Sequence, residues 1–489
     1  MALASGLTKG KMSHCSNEET NDLSTKIQDP PSNMTNNTHV VIVGGGVAGL
    51  MAARELLKSD NCDLTVTLVE QSDRLGGRVR AADSPSDGPV IDLGAEFIHG
   101  KGTMLTDLVE ELFGKDATEE IFITCHADGG PSSAPTKNGK YGMYFCGGEL
   151  MMYDDERIWP LTRALGQLQG EKHDPTASVG QVLRDHQLSP DLISLAEASF
   201  GNTVGAHHDD VSSSVLAHFD NHWYSHEEEG DLRLNPKIGM YGCVKKMAEE
   251  LTQDERFALK MNWSVEKIVH DEFTVRLTSS DNDVLEANAL IITVPPPAYS
   301  SIDMDLGPER REALTHIGMN TAMKLLLKFD KPIWPQNVQS VICGGCSVPE
   351  MWFKQCGDYY LATGYLTSHN ANAFLERCGN DQEQAGSIML EQLVKLFGLS
   401  LENTQLLDSH MHVWEYGYMY PKVNMTVDHL HAMAAPIQDK IFFAGEATNT
   451  NACCTVQAAI ETGARAAQEV MHVFLPTDNC FLQRAAKVC

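Results

Sequence analysis

The chain has 489 residues, which is too many for one simple hydrophobic core and suggests two domains. A hydrophobic content of 42% with 39 glycines is typical of a soluble α/β protein. The formal net charge of −29 argues against nucleic acid and anionic membrane surfaces as partners, and it weakly favours cationic ligands.

The first 37 residues are polar and include Pro30-Pro31 just before the first apolar run. This composition predicts a disordered N-terminal tail, and residues 476–489 are interpreted as a C-terminal tail. No run has the pattern of a signal peptide or the length of a membrane span. The 13 scattered cysteines indicate reduced thiols rather than a disulfide framework. We therefore expect a cytoplasmic protein with no membrane partner; the sequence leaves its oligomeric state open.

A strand, a turn, a helix and a second strand follow one another between His39 and Glu70. The β-branched run His39–Val43 predicts a buried parallel strand. Val47 to about Lys58 has the pattern of a helix, and Leu64–Val69 that of the second strand, which ends at Glu70. This order is typical of a dinucleotide-binding unit.

Three glycines in the turn have the spacing G-x-G-x-x-G. In such a turn, Gly44 makes the tight bend, Gly46 lets the backbone approach a pyrophosphate, and Gly49 lets the helix pack on the strand. The helix N-terminus favours an anionic group, and Glu70 is placed to bind ribose hydroxyls. We therefore predict a dinucleotide site at these four residues.

The next segment, Arg74-Leu75-Gly76-Gly77-Arg78, combines two arginines with a glycine pair. Arginines neutralise a diphosphate, and paired glycines let the backbone approach it closely. With the following Asp92-Leu93-Gly94-Ala95-Glu96-Phe97-Ile98-His99-Gly100, the chain resembles the flavin-containing amine oxidases, most closely the polyamine oxidases. The resemblance implies FAD as the cofactor, bound in part by Arg74, Gly76, Gly77 and Arg78. Because no cysteine stands where monoamine oxidases attach flavin, we expect the FAD to be non-covalent.

The resemblance covers nearly everything after residue 38 and implies an interleaved domain arrangement. The expected fold is α/β, with a Rossmann-like FAD-binding domain formed by residues 38–100, 230–300 and 415–475. A mixed α+β substrate-binding domain is expected from residues 101–229 and 301–414, with the flavin at the junction. The second FAD piece contains a predicted helix ending at Leu251 and the strand Ala289–Val294. The third contains the strand Lys440–Glu446 and a helix from about Thr455 to Phe474.

His99 matches the position at which animal polyamine oxidases carry a histidine, so the resemblance implies that it contacts or deprotonates the amine. Glu96 and Phe97, just before it, are assigned to substrate binding. L-amino acid oxidases of this superfamily carry an arginine here that binds the substrate carboxylate, whereas this chain has Gly94-Ala95-Glu96-Phe97. The loop therefore favours amines over amino acids; the alternative for His99 is a structural histidine.

Lys324 is the strongest catalytic candidate, because it interrupts the apolar run Ala322–Leu327. A buried lysine is costly without a partner, and desolvation lowers its pKa, so it can orient water or transfer a proton. The segment resembles the one in which the family's lysine reaches through a water toward flavin N5. The alternative is an edge-strand lysine that extends to solvent, as we expect of Lys328.

The C-terminal part supplies further candidates by resemblance. Gly445 and Glu446 match the family's Gly-Glu-x-Thr, whose glutamate binds the ribityl chain. The predicted helix at Thr455-Val456 would direct its N-terminal amides at the flavin ring. Val265 falls where the family's backbone meets adenine, although an ordinary core valine is the alternative.

The expected substrate pocket departs from the family pattern. Tyr418 and Tyr420 are predicted to form one wall, Tyr365 is a weaker candidate, and Cys454 stands where the family usually has an aromatic residue. A smaller residue there leaves room for a longer or bulkier substrate.

Several other features resemble functional sites but have simpler interpretations. Cys343-Gly344-Gly345-Cys346 has redox spacing without further metal ligands nearby in sequence. His207-His208-Asp209-Asp210 and the stretch from His222 to Glu229 are interpreted as solvated loops, so no metal is expected.

The sequence thus predicts an FAD-dependent enzyme that oxidises spermine, spermidine or their acetylated forms with O2 to an aldehyde, a smaller amine and hydrogen peroxide. One alternative is a primary monoamine or L-amino acid oxidase. A different class of alternative is a flavin-dependent chromatin demethylase or a flavin-binding regulator.

Overall fold

The computed structural model describes residues 37–82, 88–121, 139–170, 174–223 and 228–475. The two predicted tails therefore lie outside the described residues, apart from Asn37, as do residues 224–227 of the stretch from His222 to Glu229. The strands, in chain order, are β1 Thr38–Val43, β2 Leu64–Val69, β3 Phe97–Lys101, β4 Thr118–Ile121, β5 Tyr141–Cys146, β6 Glu149–Met152, β7 Glu228–Leu234, β8 Phe257–Lys260, β9 Val265–His270, β10 Val275–Ser279, β11 Val284–Ala287, β12 Ala289–Ile292, β13 Ile317–Met319, β14 Ala322–Phe329, β15 Val338–Cys343, β16 Glu350–Cys356, β17 Tyr359–Thr367, β18 Leu406–Trp414, β19 Met419–Pro421 and β20 Ile441–Phe443. The helices are α1 Val47–Leu57, α2 Met104–Phe113, α3 Trp159–Gly170, α4 Val179–Asp185, α5 Pro190–Ala196, α6 Asn202–Val204, α7 Ser213–Trp223, α8 Gly239–Leu251, α9 Pro308–Thr315, α10 Ser368–Cys378, α11 Gln382–Leu396, α12 Val427–Ala434 and α13 Val456–Phe474.

A parallel five-stranded sheet has the order β20-β12-β1-β2-β8. Both faces of its central strands are covered, so these strands are largely apolar. Val40 and Ile42 pack into one core with residues of α1, α8 and α13, whereas the alternating Val41 and Val43 pack into a second core on the other face. This arrangement brings the carboxyl ends of the strands together at one edge, where ligands bind in open α/β sheets.

A second sheet of seven strands has the order β18-β14-β17-β16-β15-β5-β6. Its pairs are antiparallel except for β15 with β5. In β14, Met323, Leu325 and Leu327 pack into a core that includes residues of α10 and α11. Because side chains alternate along a strand, Lys324 lies on the opposite face of this sheet.

The α/β fold predicted from the sequence is confirmed, with shorter elements in places. The strand predicted over Ala289–Val294 ends at Ile292, just before three prolines that cannot donate to a sheet. All strands of the parallel sheet come from the three predicted FAD pieces, and the residues from Thr38 onward form one compact unit. Pairing also crosses the predicted boundaries, because β19 pairs with β13, and β4 with β7. The division into two domains at those residues stays a prediction.

In the described part of the chain, no helix is long and apolar enough to cross a membrane.

Candidate active site

The glycine turn between β1 and α1 leaves space for a ligand. Gly44 has φ +110°, a conformation that L side chains rarely adopt, and a Cβ on Gly49 would lie 2.0 Å from the Gly44 carbonyl oxygen. Gly46 differs, because its φ is −73° and a Cβ there would meet nothing within 4 Å. The protein itself therefore does not require glycine at Gly46, and the free space at the helix N-terminus fits a diphosphate.

Glu70 joins the end of β2 to this turn. Its Oε2 accepts a hydrogen bond from the Gly45 amide at 2.7 Å, and its Oε1 accepts from the Ser72 hydroxyl at 2.7 Å. The Trp263 amide donates to the Glu70 carbonyl oxygen at 2.9 Å, which places the start of β9 beside the same strand end. Val265 itself is a buried core residue, so any role in cofactor binding belongs to the backbone of its segment.

The glycine-arginine segment packs directly on the first turn. The Gly76 amide donates to the Gly45 carbonyl oxygen at 2.8 Å, and a Cβ on Gly77 would lie 3.4 Å from Gly46 Cα. The Arg74 guanidinium donates to the Gly77 carbonyl oxygen at 2.9 Å and lies 5.8 Å from the Trp414 ring centre. The structure thus brings together the two glycine-rich segments that the sequence assigned to one site.

Arg78 connects the glycine-arginine segment to the C-terminal part. Its Nη1 donates to Glu446 Oε1 at 2.8 Å and to the Gly417 carbonyl oxygen at 2.9 Å. Glu446 is buried and also accepts hydrogen bonds from the amides of Met419 at 3.1 Å and Cys454 at 3.3 Å. Its observed partners are therefore groups of the protein, and its role toward a ribityl chain stays a prediction.

The helix predicted near Thr455 begins at Val456. Thr455 is its N-cap, and its hydroxyl accepts a hydrogen bond from the Ala458 amide at 3.1 Å. Gly445, with φ +112°, donates to the Thr462 hydroxyl of the same helix at 2.9 Å. Gln457 of this helix donates to the His99 carbonyl oxygen, so the helix start lies beside β3.

Lys324 is buried, with an exposed fraction of 4%. Its Nζ lies 2.8 Å from Glu96 Oε2 and 3.1 Å from the Asp92 carbonyl oxygen. Burial lowers the pKa of Lys324, and the attraction of Glu96 opposes that shift. The partner that a buried lysine needs is therefore Glu96.

Glu96 is not exposed to a substrate pocket, which corrects its assignment as a substrate ligand. It is 3% exposed, and its oxygens also contact Lys354 Nζ at 2.7 Å, Trp352 Nε1 at 3.2 Å and Arg233 Nε at 3.2 Å. Burial would raise the pKa of Glu96, but Lys324, Lys354 and Arg233 together hold it well below its ordinary value. Glu96 therefore stays ionised, and its negative charge holds the Lys324 amine in position.

His99 forms a pair with a buried carboxylate. It lies opposite Asp231 in the pairing of β3 with β7, and its Nδ1 is 2.9 Å from Asp231 Oδ1. Asp231 is 2% exposed, whereas the His99 side chain is 34% exposed. A carboxylate at Nδ1 orients the imidazole, and the catalytic role of His99 stays a prediction.

Two of the predicted pocket tyrosines, Tyr365 and Tyr418, contact each other. They lie beside residues that the sequence did not identify. The Tyr365 hydroxyl lies 2.8 Å from the Tyr418 hydroxyl, which donates to the Thr203 carbonyl oxygen at 2.6 Å. Burial raises the pKa of both phenols, so both stay neutral. The Trp352 ring lies 5.6 Å from Tyr365 and 4.9 Å from Phe97, which connects the predicted Phe97 to the tyrosine pair.

Tyr420 takes a different place from the one predicted. It pairs opposite Gly318, its hydroxyl bonds to Asn320, and it packs into a core with Ile342. It lines a cavity of about 510 Å³ with Pro296 and Met319. The pairing of β19 with β13 sets this environment, and the prediction that Tyr420 shares a wall with Tyr418 stays a prediction.

Cys454 lies next to the residues that hold Arg78. Its thiol is 3.0 Å from the Met419 carbonyl oxygen and 3.0 Å from the Cys453 sulfur. The contact with Cys453 and burial raise the pKa of the Cys454 thiol well above its usual range, so it is a small neutral side chain. A small side chain here is consistent with the prediction that Cys454 leaves room for a longer or bulkier substrate.

Glu350 is the most important residue that the sequence reasoning missed. It lies opposite Tyr365 in the pairing of β16 with β17, is 4% exposed, and its Oε2 accepts from Asn202 Nδ2 at 3.1 Å. Burial raises its pKa to about 7. Among the described residues, no lysine, arginine or histidine nitrogen lies within 4.0 Å of its carboxylate. The alternation of Glu350, Trp352 and Lys354 with Met351 and Phe353 is the sequence signal that could have identified this strand face.

Comparisons with known proteins agree with this geometry. A family model described as "Flavin containing amine oxidoreductase" matches residues 47–471. The chain is 24% identical to Polyamine oxidase 2 of Arabidopsis thaliana over 467 residues, covering 89% of this chain and 88% of the relative. It is 22% identical to Amine oxidase [flavin-containing] B of Mus musculus, covering 91% and 89%. A structure of putrescine oxidase bound to putrescine is similar, with a TM-score of 0.71, 19% identity, and coverage of 89% of this chain and 99% of that one.

Proposed function

The chain belongs to the flavin-containing amine oxidoreductase family, and we propose that this FAD-dependent amine oxidase acts on polyamines. The proposed substrates are spermine, spermidine or their acetylated forms. The products would be an aldehyde, a smaller amine and hydrogen peroxide, with O2 as the acceptor. Localisation in the cytoplasm and non-covalent binding of FAD stay predictions.

The observation that carries the proposal is the buried carboxylate of Glu350. It lies beside the Tyr365–Tyr418 pair without a bonded cation among the described residues, and one of its oxygens bonds to a neutral amide. A buried carboxylate is costly in its ionised form unless a cation pairs with it. A protonated nitrogen of a polyamine supplies that cation, so Glu350 would anchor one amine while another is oxidised.

The loop at Glu96 supports amines over amino acids. Arg233 lies beside Phe97, with its Cζ 5.4 Å from that ring, but its Nε faces Glu96 at 3.2 Å. A substrate carboxylate would have to compete with a buried ion pair for this arginine. The relatives are named both as polyamine oxidases and, more generally, as an amine oxidase, so substrate comparison is the deciding test.

The residues present fit FAD. Gly44, Gly46 and the start of α1 would hold the diphosphate, Glu70 the ribose, and the Arg78–Glu446 pair the region near the start of α13. The bound cofactor supplies the two-electron oxidation of the carbon–nitrogen bond. An ammonium has three donors, and the described contacts of Lys324 use two, so the third is left to orient a water molecule. In this proposal His99, whose Nδ1 contacts Asp231 Oδ1, would accept a proton from the substrate amine.

A peroxide-release screen over polyamines, monoamines and amino acids tests the proposal. We expect spermine or spermidine to be oxidised with a higher kcat/KM than benzylamine or leucine. Faster oxidation of leucine or benzylamine than of every polyamine would replace the proposal with the amino acid or monoamine alternative.

Glu350→Gln tests the anchoring role. A hydrogen bond to a charged group contributes about 1.5–3 kcal/mol, so kcat/KM for spermine should fall about tenfold or more. The pKa of Glu350 is raised to about 7, so the parent's kcat/KM should rise as pH passes upward through that value, and the variant should lose this rise. The matched control is Glu461→Gln, which changes another carboxylate with a raised pKa and one asparagine partner, Asn449 at 2.9 Å.

The thermal stability of Glu350→Gln distinguishes a loss of substrate anchoring from a folding defect. A carboxyl group with a raised pKa favours the folded state in its neutral form, and its ionisation near pH 7 costs stability. Glu350→Gln removes that cost, so the variant should melt no lower than the parent at pH 8. An unchanged kcat/KM in a stable, flavin-loaded Glu350→Gln protein would contradict the anchoring role.

A further inference from the structure

We propose that Glu197, His207 and His208 form a binding site for a divalent metal ion, best suited to Zn²⁺, with His369 as the nearest fourth donor. One potential ligand atom from each of the first three residues lies within 4.8 Å of the others. Imidazole nitrogen and carboxylate oxygen are ligands that Zn²⁺ accepts in tetrahedral sites. The site is independent of the amine oxidase chemistry.

Glu197 supplies an incompletely bonded carboxylate. Its Oε2 contacts His208 Nδ1, and its Oε1 has no hydrogen-bond partner among the described residues. The same Oε1 lies 3.4 Å from His369 Nε2. The Glu197 side chain is only 14% exposed, so solvent does not readily supply a hydrogen-bond donor to Oε1. A metal ion would satisfy it.

The backbone at Glu197–Gly201 leaves space for the Glu197 carboxylate in its largely buried position. Glu197 begins a π-helical turn, Glu197–Gly201, between α5 and α6, and single π turns are frequent at functional sites. A Cβ on Gly201 would lie 2.8 Å from the Glu197 carboxylate. Only glycine therefore leaves room for the carboxylate in its present position.

One histidine of this loop, His208, is buried, which differs from the predicted solvated loop, whereas the side chains of His207 and His369 are 38% and 46% exposed. His208 is 6% exposed, and the His207 and His208 rings stack with centroids 4.3 Å apart. A Cβ on Gly180 would lie 2.4 Å from His208 Cδ2. The His369 ring lies 5.1 Å from the His207 ring. Three imidazoles thus lie beside one largely buried carboxylate.

The proposed metal site adjoins the segments that hold the tyrosine pair. The π-helical turn runs into Asn202, which bonds to Glu350 at 3.1 Å and to the Tyr365 carbonyl oxygen at 3.2 Å. The amide of Thr367, two residues before His369, donates to Asn202 Oδ1 at 2.9 Å. Metal binding would therefore fasten these segments together, and we expect it to stabilise the protein.

Metal titration of the flavin-loaded protein tests the inference. After treatment with a chelating resin, the protein should bind one Zn²⁺ per chain in calorimetry, and its melting temperature should rise with added metal. Co²⁺ should give the visible bands of a tetrahedral site at wavelengths beyond the flavin absorption, in a difference spectrum. No binding at stoichiometric concentration, or binding without a change in melting temperature, would overturn the proposal.

Glu197→Gln tests the assignment, because it keeps the shape and removes the charge. Metal affinity should fall about tenfold or more, by comparison with the 10–100-fold losses that follow removal of outer-shell partners. The matched control is His429→Ala, in the more exposed group of Glu312, His316 and His429, which should bind Zn²⁺ as the parent does. Loss of binding in His429→Ala with retention in Glu197→Gln would overturn the assignment, and the melting temperature without metal shows that both variants fold.

Discussion

The chemistry of Lys324 depends on residues distant in sequence. Glu96 and the Asp92 carbonyl oxygen hold its amine, while Lys354 and Arg233 hold Glu96. Asp92 also accepts hydrogen bonds from the amides of Met240 at 3.1 Å and Tyr241 at 3.3 Å at the start of α8. A lysine fixed in this way keeps one orientation, which a residue that positions a water molecule requires.

Lys324→Met removes the amine and preserves the apolar length of the side chain. We expect FAD to bind, because no phosphate contact is lost, and flavin turnover to fall roughly tenfold or more, as for positioned proton-transfer groups. Loss of one buried ion-pair partner costs about 3–5 kcal/mol, and the cost should be smaller here because Glu96 retains Lys354 and Arg233. Stopped-flow measurement of flavin reduction and reoxidation would locate the defect.

Lys328→Met is the matched control, because Lys328 lies on the same strand and face, more exposed, with its Nζ 4.2 Å from the Tyr359 ring centre. It should keep the parental rate. If Lys324→Met retains flavin and stability and turns over at the parental rate, Lys324 is a structural lysine.

At the scale of elements, the junction of β1 with α1 combines three glycines that serve different purposes. Gly44 and Gly49 are required by the protein's own backbone, since one has φ +110° and the other would clash with a carbonyl oxygen at 2.0 Å. Any residue can adopt the backbone conformation of Gly46. Glycine is therefore required at this position only if a ligand occupies the space where a Cβ would lie.

Gly46→Val therefore separates cofactor binding from folding. We expect a colourless apoprotein that is folded, because valine adopts φ −73° without strain and meets no protein atom within 4 Å at Cβ. Flavin absorbance and circular dichroism of the purified protein check this. A variant that retains FAD at the parental level would show that the diphosphate does not lie against Gly46.

At the scale of the whole molecule, the charge of −29 should influence the encounter with substrate. An acidic protein attracts polycations over a distance of about 10 Å at 0.1 M salt, and added salt screens that attraction. The kcat/KM for spermine should therefore fall as ionic strength rises from about 0.05 to 0.5 M. Benzylamine, with a single charge, is the control and should be less sensitive. Equal salt dependence for both substrates would show that net charge does not contribute to polyamine capture.

The sequence by itself determined the fold class and the cofactor. The apolar runs of β1 and β2, the glycine spacing and the acid at Glu70 are local signals, because a short turn and a helix start depend on residues close together in the chain. The family, which implies a flavin, is confirmed by the match over residues 47–471. The need of Lys324 for a partner was also predictable, because burial of an unpaired amine is unfavourable wherever it occurs.

Only the tertiary structure decided which residues meet. Glu96 became the partner of Lys324 because β14 and the segment before β3 approach across 228 positions of the chain, and Glu350 reached Tyr365 through the register of β16 with β17. Tyr420 lies opposite Gly318 because β19 pairs with β13, and His208 is buried because Glu197 and Gly180 enclose it. Strand register and helix packing set these contacts, and both depend on the summed burial of many distant side chains rather than on any local pattern.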